Sequence, residues 1–126
     1  MHEINPQIVK QRGGEGFRLR WYSDENHDLY VWLSDAGRLM RFQLCYDKGS
    51  PREQVVRWKL GGAIEHALID DGERLHRKQT PIFVSNGAWD PREPLERLRA
   101  ERSNIELAIY IQLIKIFREA EIRAMP

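Results

Sequence analysis

The feature that most constrains the fold is a series of short runs in which apolar and polar residues alternate. The runs cover residues 17–22, 29–33, 39–46, 54–60, 63–69 and 81–85. Glycine, proline, aspartate and asparagine separate them, and these residues favour turns. Because no segment long enough for a helix lies between the runs, the pattern predicts antiparallel strands and not β-α-β units.

Residues 63–69 are the ambiguous run. Ile64 and Leu68 are four positions apart, a spacing that also suits one turn of a helix. A glycine pair precedes the run, however, and a turn-forming Asp-Asp-Gly sequence follows it, which leaves a segment that is short for a helix. We therefore predict a strand, with a helical turn as the alternative.

Near residue 90 the alternation of apolar and polar residues ends, and residues typical of helices follow. Asp90 followed by Pro91 is typical of a helix start, and a short helix is predicted toward Arg102, although Pro94 could delay its first turn. A strand-rich part (17–85) followed by a helical part (91–123) predicts a single α+β domain over residues 1–126. We expect a curved antiparallel sheet of about five to seven strands, either open or a partly open barrel, with a long C-terminal helix packed on its concave face.

The last helix is predicted over residues 104–123, because Ser103 and Glu106 match the capping box, in which each side chain satisfies a free backbone donor. At about 100° per residue, one face of this helix is a broad apolar stripe, and further apolar residues lie on its flank. The stripe consists of Ile105, Ile109, Leu113, Ile116, Phe117 and Ala120. The flank consists of Leu107, Ile111 and Ile114.

Stripe and flank together span roughly twice the ~100° of helix circumference that is enough to pack a helix against one sheet. A fully buried leucine or isoleucine contributes roughly 1.5–3 kcal/mol, so exposure of the flank would forfeit several kcal/mol. The flank could be covered by a strongly curved sheet, by the preceding short helix or by the same helix of a second copy. Two-fold pairing is the commonest way in which soluble proteins bury such a surface, so we expect a homodimer with the flank in its interface.

Composition excludes several classes of protein. Of 126 residues, 41% are hydrophobic and 31% are charged, as in ordinary globular domains, and a net charge of +1 argues against a nucleic-acid partner. The single cysteine, Cys45, excludes an intrachain disulfide and a cysteine-based zinc site, and it indicates a reducing, cytoplasmic location. The first ten residues lack the apolar core of a signal peptide, and no stretch has membrane-spanning character, so we expect no membrane association.

A cluster of ionisable residues in and after the run 63–69 is a candidate enzyme site. His66 could act as a general base or a metal ligand, assisted by Asp70, Asp71 or His76, in a small hydrolase. The spacing matches no known metal motif, so we favour a hairpin with a structural histidine and expect no metal. The glycine-rich residues 13–16 precede a strand instead of opening a helix, which excludes a P-loop or dinucleotide site, and we expect no cofactor.

Arginine alternates with aromatic residues on one face of the first predicted strand, and we expect the neighbouring strands to extend that face. The candidate ligand-binding residues are Arg18, Arg20, Tyr22, Tyr30, Trp32 and Arg41. Guanidinium groups bind phosphate or carboxylate and aromatic rings stack on bases, so this face could bind an anionic ligand or single-stranded nucleic acid. Solvated or protein-binding sheet faces have the same composition, and this is the interpretation we favour.

These patterns rank three functions. We predict a non-enzymatic binding or assembly module that acts through a groove between helix and sheet or through a homodimer surface. A small enzyme using His66 is the alternative, and a weak anionic-ligand or nucleic-acid binder is the third hypothesis. The expected partners are a second copy of the chain and a small molecule or protein.

Overall fold

The computed structural model describes residues 1–9, 16–69, 83–85 and 90–124. Within these residues, a single antiparallel sheet precedes two α-helices joined by a short 3-10 helix, Arg102–Asn104. The strands are β1 (His2–Glu3), β2 (Arg18–Ser23), β3 (His27–Leu33), β4 (Leu39–Tyr46), β5 (Gln54–Lys59), β6 (Glu65–Ile69) and β7 (Phe83–Ser85). The helices are α1 (Arg92–Ala100) and α2 (Leu107–Ala124). The predicted α+β class is confirmed.

The sheet is open, and its spatial order follows the chain from β1 at one edge to β7 at the other. Of the two predicted forms, the open sheet is therefore the one observed in the described part of the chain. The ambiguous run is a strand: β6 pairs with β5, where His66 lies opposite Val56, and with β7, where Leu68 lies opposite Val84. Two partner strands bond the backbone of β6, and this outweighs the weak helical spacing of its side chains.

The register of the strands decides which side chains form the core. Tyr22 lies opposite Leu29, Leu29 opposite Leu44, and Leu44 opposite Val56. All four side chains are buried in one cluster. The helices contribute Leu95, Leu98, Ile109, Leu113 and Phe117 to the same cluster, and the segment between them contributes Ile105. We call this side of the sheet the helix face.

The other side of the sheet carries a ladder of aromatic rings. Trp21 stacks on Tyr30 with ring centroids 5.6 Å apart, and Tyr30 lies 6.3 Å from Trp32. The guanidinium of Arg41 lies 4.3 Å from the centroid of the Trp32 ring. We call this side the aromatic face. Trp21 and Tyr30 are adjacent because they lie directly opposite each other in antiparallel strands, and Trp32 joins them because it is two positions from Tyr30 on β3 and so lies on the same face.

Helix α1 confirms the predicted short helix. The carboxylate of Asp90 accepts a hydrogen bond from the backbone N–H of Arg92 at 2.9 Å, and Pro91 has helical dihedral angles (φ −65°, ψ −14°). Pro94 lies in the first turn, where the missing N–H leaves no helical bond unmade, and so it does not delay the helix.

Helix α2 begins at Leu107, later than the capping box predicts. Ser103 lies in the 3-10 helix and Ile105 is extended (φ −113°, ψ 136°), so the capping-box prediction is wrong. Extension places the Ile105 side chain in the core, and Glu106 provides the carbonyl that accepts the first helical bond, from Ile109. Burial of an isoleucine stabilises by roughly 1.5–3 kcal/mol, which exceeds the ~1 kcal/mol of a typical cap.

Candidate functional site

Large aliphatic side chains on the outer face of α2 are open to solvent. Leu107 is 57% exposed, Ile111 is 56% exposed and Ile122 is 67% exposed. At about 100° per residue, all three lie on the side of the helix away from its core residues. Ile114 lies on the same side but is half-buried and packs against the core cluster. We call Leu107, Ile111, Ile114 and Ile122 the outer stripe.

The predicted flank therefore has two kinds of member. The protein's own core partly covers Ile114, whereas more than half of Leu107 and of Ile111 is exposed. Among the described residues, neither the sheet nor α1 therefore buries these two side chains. A second copy is the cover that stays a prediction.

A cleft of about 250 Å³ opens beside the first turn of α2, lined in part by Arg18, Arg20, Asp35 and Glu106. Arg20 donates to both carboxylate oxygens of Glu3, at 2.9 and 2.7 Å, and also to Glu106. Hydrogen bonds to these two carboxylates raise the pKa of Arg20, with Glu3 as the larger cause. Two cations and two carboxylates in the lining balance each other, so the cleft has no surplus positive charge to attract an anion.

The predicted ligand-binding residues do not lie together. The helix face holds Arg18, Arg20 and Tyr22, whereas the aromatic face holds Tyr30, Trp32 and Arg41. The prediction that they share a face is wrong, because the β2–β3 register places Tyr30 opposite Trp21 and not beside Tyr22. Tyr22 is instead buried, and its hydroxyl accepts a hydrogen bond from the Glu106 backbone N–H at 3.4 Å. A binding role for either group stays a prediction.

His66 lies on the helix face within a chain of hydrogen bonds. Its Nε2 lies 2.7 Å from Oε1 of Gln54, and the same oxygen accepts the hydroxyl of Tyr46 at 3.1 Å. Because an amide oxygen only accepts, His66 donates through a protonated Nε2. Burial lowers the pKa of His66 to about 4. At neutral pH the ring is therefore an uncharged hydrogen-bond donor.

The predicted partners of His66 are not among the residues that the structure describes. Asp70, Asp71 and His76 are outside the described residues, so the enzyme hypothesis stays a prediction. Within the described part of the chain, no group of three or more histidine, cysteine, aspartate or glutamate side chains is arranged to hold a metal ion. The described hydrogen-bond partner of His66 is the amide of Gln54, which cannot act as an acid or base.

Acidification should weaken the fold through His66. The folded pKa of about 4 lies below the ordinary value of 6.5, so the unfolded chain binds more protons between these values. Stability should therefore fall as the pH drops from 6.5 to 4, by on the order of 2 kcal/mol after allowance for solvent screening. Urea unfolding of wild-type protein and His66→Gln across this range measures the difference. The variant keeps a donor toward Gln54 and should have a flatter profile; equal slopes would contradict the prediction.

A polar network that the sequence patterns do not indicate joins two strand connections to α1. Nδ1 of His27 lies 3.0 Å from Asp24, and Arg97 donates to Nε2 of His27 at 3.2 Å and to Asp47 at 2.8 Å. The same guanidinium lies 4.8 Å from the centroid of the Tyr46 ring. Arg97 is 70 positions from His27 and 50 positions from Asp47, so no local spacing could have indicated that α1 joins these residues. The network anchors α1, and we assign it a structural role.

Comparison of the chain with protein-family models, with curated proteins and with solved structures found no match. Functional inference therefore depends on the geometry of the outer stripe, the cleft and His66. Across the described ranges, no helix is both long enough and apolar enough to cross a bilayer.

Proposed function

We propose that this protein is a non-enzymatic assembly module that forms a homodimer through the outer stripe. The observation that carries the proposal is the exposure of Leu107 and Ile111 on a helix whose opposite side is packed into the core. Fully buried Leu113 and Phe117 hold α2 in place. A surface on such a rigid element loses little conformational entropy on association, which favours binding.

The charged residues at the margin of the outer stripe are compatible with packing against a second copy of the same surface. Lys115, Arg118 and Glu119 are exposed beside or within it, and they include both signs. Two copies related by a two-fold axis present the same patch to each other, so a surface of one sign would repel its partner. A patch with both signs can place opposite charges together.

Placing carboxylates on the stripe should abolish the dimer. In the double variant Leu107→Glu, Ile111→Glu, association would desolvate four carboxylates in place of four aliphatic side chains, and we expect the dissociation constant to rise at least ~100-fold. The monomer should remain folded, because both positions are exposed and a glutamate in the first turn complements the helix dipole. Size-exclusion chromatography with light scattering at micromolar concentration measures the loss.

Leu60→Glu is the matched control. Leu60 is an exposed leucine in the connection between β5 and β6, outside α2, so its replacement should leave the dimer intact. A wild-type protein that stays monomeric, or a double variant that dimerises as well as wild type, would contradict the proposal.

The other hypotheses have less support. An anionic ligand would compete with Glu3 and Glu106 for Arg20, and the remaining candidate residues are divided between two faces. A ligand between helix and sheet would have to enter the charge-balanced cleft beside the first turn of α2, because Leu113 and Phe117 are fully buried farther along the helix. Both hypotheses, and the His66 enzyme, stay predictions.

A further inference from the structure

We infer that the hydrogen bond between His27 and Arg97 is a pH-sensitive anchor of α1, which holds the helix only while the imidazole is uncharged. The ring belongs to β3 and the guanidinium to α1, so the bond joins the sheet to the helix. Protonation of the ring would break this bond and loosen α1. The outer stripe proposed for the dimer lies on α2 and takes no part in this contact.

The side chain of Asp24 determines which nitrogen of the ring carries the proton. Asp24 accepts from the backbone N–H groups of Asn26 and His27, both at 2.7 Å, and it pairs with the Met1 ammonium at 3.1 Å. Although burial raises the pKa of Asp24, the bonds from Met1 and Asn26 hold it well below its usual range. The side chain is therefore a carboxylate, which only accepts. Nδ1 of His27, 3.0 Å away, must be the nitrogen that donates.

The other nitrogen of the ring faces a group that only donates. Nη1 of Arg97 lies 3.2 Å from Nε2 of His27, and a guanidinium has no acceptor atom. Nε2 must therefore be unprotonated to accept this bond. With a proton on Nδ1 and none on Nε2, the ring that fits both partners is the neutral tautomer.

A second proton on the ring changes only the side that faces Arg97. The bond from Nδ1 to Asp24 persists, because Nδ1 carries a hydrogen in both states. An N–H at Nε2, however, points at the guanidinium, which has no lone pair to accept it and carries the same charge. Among side chains, an imidazole is the usual one to take up a proton on mild acidification.

The charged groups around the ring do not restore the contact. In the described part of the chain, the other ionisable groups that face His27, Asp24 or Arg97 are the Met1 ammonium, Tyr46, Asp47, Glu93 and Glu101. Asp47 and Glu93 lie 2.8 and 3.6 Å from the Arg97 guanidinium. They keep this cation beside the ring after the ring is protonated. The protonated imidazole therefore meets a positive charge that cannot accept from it.

Loss of the His27 bond weakens the docking of α1 without detaching the helix, since the bond from Arg97 to Asp47 remains. A hydrogen bond to a charged group is worth at least about 10-fold in an equilibrium, so we expect α1 to open about 10-fold more often. Leu95 and Leu98, which are fully buried under α1, would be exposed in the open form.

Native-state hydrogen exchange followed by NMR tests the anchor in the full chain. All proteins carry His66→Gln, which removes the acid sensitivity expected from His66. As the pH is lowered from about 8, the ring nitrogens of His27 report its protonation, and the backbone amides of α1 report opening after correction for the intrinsic effect of pH on exchange. We expect the protection of α1 to fall about 10-fold over the same pH range in which the ring becomes protonated.

His27→Gln is the matched control, because its amide can donate to Asp24 and accept from Arg97 but takes up no proton. Its α1 should be protected equally across the range. Arg97→Met removes the donor, so α1 should be less protected at pH 8 and show no further fall in acid. Constant protection of α1 while the His27 ring becomes protonated overturns the inference. So does an equal acid-dependent fall in either variant, or a ring that stays neutral until the whole chain unfolds.

Discussion

Replacement of Phe117 by alanine should lower the free energy of unfolding by about 3–5 kcal/mol. Phe117 is fully buried, and its ring centroid lies 5.4 Å from that of Phe42 on β4. The side chain therefore joins α2 to the centre of the sheet. Its neighbours belong to rigid elements that cannot close around the space left by the ring, so most of the cavity should persist.

Urea unfolding at low protein concentration measures this loss separately from dimerisation. Ile111→Ala, on the same helix, is the control, and because Ile111 is exposed its cost should stay below about 1 kcal/mol. Equal losses in the two variants would show that α2 does not face the sheet with Phe117.

Replacement of Gln54 by leucine should lower the free energy of unfolding by about 2–4 kcal/mol. The buried Gln54 side chain provides the oxygen that accepts from both Tyr46 and His66. Leucine has a similar volume but no acceptor, so the variant deletes both hydrogen bonds without a large cavity. The loss should exceed that of an ordinary surface substitution several-fold.

Gln54→Glu distinguishes the loss of the acceptor from the loss of shape. Glutamate keeps oxygens that accept from Tyr46 and His66, and its negative charge favours the protonated imidazole. This variant should be more stable than Gln54→Leu, and the pKa of His66, measured by NMR titration, should rise above its wild-type value of about 4. If Gln54→Leu is as stable as the wild-type protein, the shared acceptor does not stabilise the fold.

Local patterns predicted much of the fold. In β4, alternation placed Phe42, Leu44 and Tyr46 on one side, and all three are buried on the helix face. In α2, helical spacing placed Leu113 and Phe117 toward the core, where both are found. These predictions succeed because a strand and a helix impose different periods on neighbouring residues.

Local patterns predicted the candidate site less well than the fold. The alternation in β2 separates Trp21 from Tyr22 correctly, but it does not say which of them meets the helices. Leu19 on the aromatic face and Tyr22 on the helix face are both buried, so hydrophobicity does not distinguish the faces. The exposure of Leu107 and Ile111 likewise depends on how α2 is rotated on the sheet.

The amino-acid sequence by itself determined the strands from β2 to β7, the two helices and the apolar surplus of α2, because each depends on residues a few positions apart. Only the tertiary structure decided which face of the sheet the helices cover, where α2 begins, and that Gln54 joins Tyr46 to His66. Those outcomes depend on strand register and on burial against distant segments. The burial free energies that decide these outcomes exceed the contribution of a local signal such as the cap predicted at Ser103. The spacing of neighbouring residues does not reveal them.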